Sequence, residues 1–279
     1  MPSPLSPKAP CWENRPVCPD KMSSPALPTS PVLGLPLAVT DYQGAVAEVK
    51  RWAERRDRGY AVAAANTHLV TMARQDPQFA AALAHFDLLL PDGMPLVWVM
   101  NRSAVEPLKD RVYGPTFMLH CLEATQGEPW SHFLLGGDEE LLGALRAKLS
   151  ARFPALRFAG SYAPPFGNWP VEEDERIIAR IRESGANFIW VAFGCPKQEL
   201  WVARCLPKLP PGVYGAVGAA FAFHAGRVRQ APLWMQRRGL EWLFRLAAEP
   251  RRLWRRYFYY NSLFVAYLLR DALRRAPAR

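Results

Sequence analysis

From Val32 to Val217 short apolar runs alternate with amphipathic stretches, and this alternation restricts the possible folds more than any other feature of the chain. The apolar runs are bounded by Gly, Pro, Asp or Asn and have strand length: Val32–Val39, Tyr60–Ala65, Asp87–Leu90, Ser131–Leu135, Arg157–Tyr162, Asn187–Phe193 and Val213–Val217. Between them Tyr42–Arg56, His68–Arg74, Gln78–His85, Thr116–Thr125, Glu139–Arg152, Glu172–Glu183 and Gln198–Cys205 carry helical spacing. A strand that returns parallel to its predecessor needs a crossover, and a crossover helix covers a sheet face. The expected fold is therefore α/β: a Rossmann-like, mostly parallel sheet with helices on both faces. Ligands of such sheets bind beyond the carboxyl ends of the strands, so the residues directly after each strand matter most.

Charge divides the chain a second time. The formal net charge is +10, and the segment 227–279 holds thirteen arginines, no lysine and only Glu241, Glu249 and Asp271 as acids, so the rest of the chain is balanced. From Pro232 onward the arginines interleave with Trp, Leu and Phe at helical spacing, and Pro250 divides this part into two helices. Such a basic, aromatic helical appendage suits a phosphate-rich partner, an anionic membrane surface or a nucleic acid. No run reaches the roughly 20 apolar residues of a spanning helix, because Phe258–Leu269 contains Asn261 and Ser262. Residues 1–31 are punctuated by proline, which denies helix and sheet their hydrogen bonds; they read as a disordered leader or as sequence upstream of the natural start. They lack the basic-then-apolar pattern of a secretory signal. Three parts are thus expected: the leader 1–31, an α/β catalytic domain 32–226 and the appendage 227–279. Five scattered cysteines without ligand spacing fit a reducing cytoplasm.

Four strand ends carry polar chemistry. Asn66 and Thr67, followed by His68, open a helix, where a plain cap is as natural as a binding role. Asp92, in Pro91–Pro95, sits at a turn that opens the next helix; it reads as a cap or as a general base for an attacking hydroxyl. Gly136 and Gly137 form a short turn whose amides, with the following helix start, are able to meet a phosphate. The string Gly194–Glu199 offers Pro196 at a helix start, Lys197 for phosphate charge, and Gln198 and Glu199 for hydrogen bonds to a base or sugar. The acidic run Glu172–Glu175 reads as a solvated helix start. Neither G-x-G-x-x-G nor a Walker A string occurs, and Asp-x-Asp, metal-spaced His/Glu clusters and Gly-x-Ser-x-Gly are also missing, so no metal or cofactor is expected.

Asp92 in its Pro-Asp-Gly turn, Gly194–Glu199, the run Arg229–Leu246 and the string Glu249–Leu253 together resemble, in order and from about Val32 to Tyr260, the WecG/TagA/CpsF glycosyltransferases, or glycosyltransferase family 26. The resemblance implies an inverting, metal-independent hexosyltransferase. It would move an N-acetylmannosamine-like, glucosyl or uronic sugar from UDP to an undecaprenyl-diphosphate-linked saccharide in surface polysaccharide or teichoic acid synthesis. Asp92 would be the base, with Asn66 and Thr67 near the substrates. Gly136, Gly137, Pro196, Lys197, Gln198 and Glu199 would line the donor site, and Arg237, Arg245 and Arg252 would supply cations to the diphosphate. The protein would be peripheral at the inner face of the bacterial plasma membrane, with homo-oligomerisation an open alternative and no nucleic-acid partner. Two positions depart from the family pattern: Ala222 stands where an Asp is usual, and Ala64 where a Thr is common. From the residues alone, a nucleic-acid-binding protein using the basic tail and another Rossmann-like nucleotide enzyme remain the rival readings.

Overall fold

The computed structural model describes residues 27–275, except Ser103 and Val105 and the side chains of Arg252 and Arg275. Residues 1–26 of the expected leader lie outside the described residues. The expected strand Val32–Val39 is instead a hairpin that begins earlier: β1 (Thr29–Val32) pairs antiparallel with β2 (Leu35–Ala38). The turn residues Leu33 and Gly34 have φ of 51° and 96°. A two-residue hairpin turn of this kind needs left-handed backbone at both positions, which Gly34 supplies freely. Leu33 adopts it against its own steric preference, and its side chain is buried under the hairpin.

The main sheet contains β3 (Gly59–Ala65), β4 (Leu88–Pro91), β5 (Ser131–Leu135), β6 (Arg157–Tyr162), β7 (Phe188–Val191) and β8 (Gly212–Ala216). Its order is β4-β3-β8-β7-β5-β6, and every neighbouring pair is parallel. The chain builds outward twice, from β3 to β4 and from β5 to β6, and then fills the centre with β7 and β8. Helices α1 (Tyr42–Arg55), α5 (Gly114–Thr125), α6 (Glu139–Arg152) and α9 (Ala220–His224) cover one face. On the other lie α2 (Thr67–Gln75), α3 (Pro77–Leu83), α4 (Met94–Met100), α7 (Val171–Ser184) and α8 (Lys197–Cys205). Strand β7 shows why its sequence is apolar throughout: Phe188 and Trp190 enter the first core, Ile189 and Val191 the second, and all four are at most 1% exposed.

Two polar clusters sit inside this core. His132 on β5 is buried beside Phe188, accepts from the Trp190 indole N–H at 3.1 Å and contacts Thr125 Oγ1 at 2.9 Å, so it is a satisfied core histidine, which burial pushes down to about 3. The acidic run at the start of α7 differs from expectation. Glu173 and Asp174 are buried, not solvated; Tyr162 donates to Glu173 at 2.5 Å, and Asp174 accepts from Trp169 and Trp201 at 2.8 Å and from Arg204 at 2.7 Å. Partners from β6, α8 and the β6–α7 loop make this burial possible.

Beyond α9 the chain forms α10 (Leu233–Arg237), α11 (Glu241–Ala248) and the long α12 (Pro250–Arg275). Neither α10 nor α11 has a fully buried residue, and α12 contributes Leu253 and Phe264 to the interior. Helix α12 lies along α2: the Tyr260 ring meets His68 edge-on at 4.3 Å, Gln75 donates to Tyr259 at 3.1 Å, and Arg74 pairs with Asp271 at 3.3 Å. No helix among the described residues is long and apolar enough to cross a membrane.

Candidate active site

The carboxyl ends of β4, β3, β8, β7 and β5 place Asp92, Asn66–Thr67, Gly218, Gly194–Glu199 and Gly136–Gly137 side by side along one rim. Adjacent strands are about 4.8 Å apart, so the three spacings from β4 to β7 span roughly 14 Å. The appendage passes over the β4–β3 end of this row.

Asp92 does not cap the helix it precedes: the cap position of α4 is Gly93, which makes no side-chain cap bond. Its main chain is fixed by an N–H bond to Ala65 at 2.8 Å, and its Oδ1 accepts the N–H of Gly114, the first residue of α5, at 2.8 Å. Burial raises the carboxyl to about 7, against the lowering pull of Arg111, Gly114 N–H and Arg245; Glu241 adds to the rise. A carboxylate so placed changes protonation near neutrality, as a general base requires. Gly114 has no room for a side chain, since a Cβ there would lie 2.8 Å from the Cβ of Ala64.

Around Asp92 stands a set of residues that sequence reading did not single out. Arg111 is 7% exposed; it donates to Glu241 Oε2 at 2.6 Å, to Gln236 Oε1 at 3.1 Å and to the Asp92 carbonyl at 3.4 Å. Its guanidinium also lies 4.2 Å from the Tyr113 ring, and Tyr113 donates its hydroxyl to Glu241 Oε1 at 2.7 Å. Arg111 and Tyr113 follow Asp92 in an irregular segment between α4 and α5; an arginine and a tyrosine next to a helix start were the available signal. Glu241 and Gln236 belong to the run that carried the family resemblance but were not assigned there.

Asn66 is the cap of α2, accepting from Leu69 N–H at 3.1 Å. Thr67 donates to Asn261 of α12 at 3.1 Å, so its hydroxyl ties the rim to the appendage. His68, beside it, is pushed down to about 4 by burial and by Arg256.

The string after β7 is tied inward. Gly194 has φ 83°, Cys195–Pro196 is cis, and α8 begins at Lys197. Gln198 and Glu199 are buried; Gln198 Oε1 accepts Gly194 N–H at 3.2 Å, and its Nε2 donates to Glu199 Oε1 at 2.8 Å. Burial raises the Glu199 carboxyl to about 7, against the lowering effect of its hydrogen bonds from Gln198 and the Cys195 thiol. Gln198 also underlies β8, its amide 3.6 Å from where a Gly218 side chain would begin. Lys197 points elsewhere: its ammonium lies 3.3 Å from the Trp169 ring centre and against the Gly167 carbonyl, which latches the β6–α7 loop.

Gly136 and Gly137 form the expected turn, but their packing is tight. Gly136 N–H donates to the Tyr162 main-chain carbonyl at 2.9 Å, and a Cβ on Gly136 would meet the Ala192 carbonyl oxygen at 2.8 Å. The following helix start is already occupied by Asp138, which accepts from Leu141 N–H at 2.7 Å and pairs with Arg227. These glycines shape the rim beside β7, and the anionic cap makes this helix start a poor place for a phosphate.

Of the three arginines singled out from sequence, Arg245 faces the site: its guanidinium lies 5.4 Å from the Phe223 ring, and its Nε is buried without a hydrogen-bond partner. Arg237 is exposed, and the Arg252 side chain lies outside the described residues. Arg256, not singled out, resembles Arg245 in having a buried, unpartnered Nε, and its charge acts on His68 and Cys195 at the ends of β3 and β7. Ala222, the second departure, is half-buried on α9, and its carbonyl accepts from Arg227 and Val228. Among the described residues no group of three or more His, Cys, Asp or Glu is gathered for a metal ion.

The fold and this rim define a Rossmann-like α/β protein with a candidate site at the carboxyl edge of a parallel sheet. The family model described as "Glycosyl transferase WecG/TagA/CpsF family" matches residues 30–278. The chain belongs to that glycosyltransferase family, whose members act on a sugar nucleotide and an acceptor.

Proposed function

We propose that the protein transfers a hexosyl residue, with inversion and without a metal, from UDP to a polyprenyl-diphosphate-linked saccharide at the cytoplasmic face of the bacterial membrane. The observation that carries this reading is Asp92, a carboxyl held by Gly114 N–H at a strand end, titrating near 7 and flanked by Arg111 and Arg245. In the reaction Asp92 takes the proton of the acceptor hydroxyl while that oxygen forms a bond to the sugar's anomeric carbon. The bond from that carbon to the diphosphate breaks, and UDP leaves with the electron pair. A single displacement inverts the anomeric centre.

The charge on the leaving diphosphate needs fixed positive groups. Arg245 and Arg256, each with an unpartnered buried Nε, fit that need better than Arg237. The row from Asp92 to Gly194, roughly 14 Å long, has the scale of an extended nucleoside-diphosphate sugar. Membrane contact is supported by the outward face of the appendage. Trp234, Trp242, Trp254, Phe258, Val265, Leu269 and Leu273 are exposed there among arginines, the pattern of an interfacial helix.

The test is direct transfer: a panel of UDP-sugars and a short-chain polyprenyl-diphosphate sugar, with products identified by mass. Asp92→Asn is expected to lower turnover by about 10²–10⁴-fold and to leave UDP binding nearly intact. Unchanged turnover removes Asp92 from the base role, and calorimetry that favours NAD over UDP overturns the donor assignment.

A further inference from the structure

Asp92 and Arg111 are neighbours that do not form a carboxylate–guanidinium pair. Arg111 Nη1 reaches the main-chain carbonyl of Asp92 at 3.4 Å, while the Asp92 carboxylate takes its bond from Gly114 N–H. The guanidinium is engaged instead by the appendage. Glu241, the first residue of α11, accepts from Arg111 at 2.6 Å and from Tyr113 at 2.7 Å, and Gln236 accepts the same Arg111 nitrogen at 3.1 Å. The Arg111–Glu241 pair is largely sequestered, with side chains 7% and 12% exposed. Of the other appendage acids described in an ion pair, Asp271 meets Arg74 away from the rim.

We propose that Glu241 is a positioning residue for proton transfer, engaging Arg111 and Tyr113 from α11 so that the guanidinium does not pair with the Asp92 carboxylate. This rests on the reading of Asp92 as the base. A direct pair with Arg111 would stabilise the Asp92 anion and make it a weaker proton acceptor. Docking of α11 would then do two things at once: bring Arg245 toward the site and preserve the basicity of Asp92. The charged and titratable groups acting on Asp92 are Arg111 from the α4–α5 segment and Glu241 and Arg245 from α11. Tyr42 of α1 and Tyr113 face the same group, and Asp110 acts on Tyr42. Glu241 both adds negative charge there and binds the guanidinium of Arg111.

The experiment is a carboxyl ¹³C titration of Asp92 in the full chain, with the resonance assigned by its loss in Asp92→Asn. The wild-type midpoint is expected near 7. Glu241→Gln keeps the size of the side chain and removes its charge, and is expected to lower the midpoint by about one pH unit or more. Glu241→Asp, which keeps the charge, is expected to leave the midpoint within about 0.3 unit. In parallel, the acid limb of kcat/KM for the most active donor and acceptor of the panel should move down with Glu241→Gln by the same amount. A midpoint unmoved in Glu241→Gln overturns the proposal. If that variant does not fold, a fall of a full unit in Glu241→Asp does so instead. The base reading fails separately: Asp92→Asn would retain turnover even where the titration moves as expected.

Discussion

The α/β body and the appendage are stabilised by different means. Inside the body, strands such as β7 are buried on both faces and polar groups such as His132 and Asp174 are matched by partners from several elements. The appendage buries Leu253 and Phe264, leaves large aromatics exposed, and is fastened by polar bonds near the rim: Glu241 to Arg111 and Tyr113, Asn261 to Thr67. Burial of apolar surface gives the body its stability, while directional bonds give the appendage its position. The body should therefore fold without the appendage, whereas the site needs both.

Removing the appendage breaks this comparison most severely. Truncation after Gly226 deletes Glu241, Arg245 and Arg256 together. Since a single preorganised charge-stabilising group is commonly worth 10²–10³, turnover on a lipid-linked acceptor is expected to fall by at least about 10³-fold. Circular dichroism should still show a cooperative unfolding transition. Full turnover by the truncated protein would mean that the body alone holds a complete site. Vesicle flotation of the same protein should show loss of binding to anionic lipid; retained binding would move the membrane contact into the body.

A pair of tryptophans sharpens the contrast at smaller scale. Trp190, 1% exposed between Phe117, Phe188 and His132, should cost about 3–5 kcal/mol on replacement by Ala, because the body cannot collapse around the cavity. Trp254, half exposed on α12, should change stability by no more than about 0.5 kcal/mol on the same replacement and instead weaken vesicle binding. Denaturant melts of the two variants read the difference, and equal losses would contradict it.

The same division explains what could be read in the sequence. The strands and helices of the body were legible because burial on both sheet faces leaves an apolar run, and a half-buried helix leaves its spacing; β5 and β6 coincide with their expected bounds. The β1–β2 turn was hidden because Leu33 carries no turn signal, although its backbone is left-handed. Asp92 was legible by its place after a strand. Arg111, Tyr113 and Glu241 were not, since their meaning lies in a contact across about 130 residues of chain. Among the many arginines of the appendage, no local pattern separates Arg245 and Arg256, which have a buried, unpartnered Nε, from the exposed Arg237. Lys197, read as a phosphate ligand from its charge, is taken by Trp169, a partner that no local pattern announces.

A smaller expected effect than the loss at Trp190 concerns stability and pH at Asp92 itself. Its carboxyl titrates at about 7 in the folded chain, and the ordinary value of an unfolded aspartate is about 3.9. A raised folded value means that the native state binds the proton more tightly. The associated stability is full below about pH 4 and is lost as pH rises through 7. At pH 8 the wild-type protein must hold an anion at this half-buried position, whereas Asp92→Asn holds a neutral amide whose oxygen can still accept from Gly114 N–H. The variant is thus expected to be more stable than wild type at pH 8 by roughly 1–3 kcal/mol, with the gap closing toward pH 4. The matching change in the appendage, Asp271→Asn, removes a partly exposed ion pair with Arg74 and should give no such gain at any pH, with a loss of at most about 1 kcal/mol. Thermal melts from pH 4 to pH 8 compare the two; a gain for Asp92→Asn that does not vary with pH would mean that its carboxyl is not held near neutrality, and the base would have to draw its proton affinity from bound substrate.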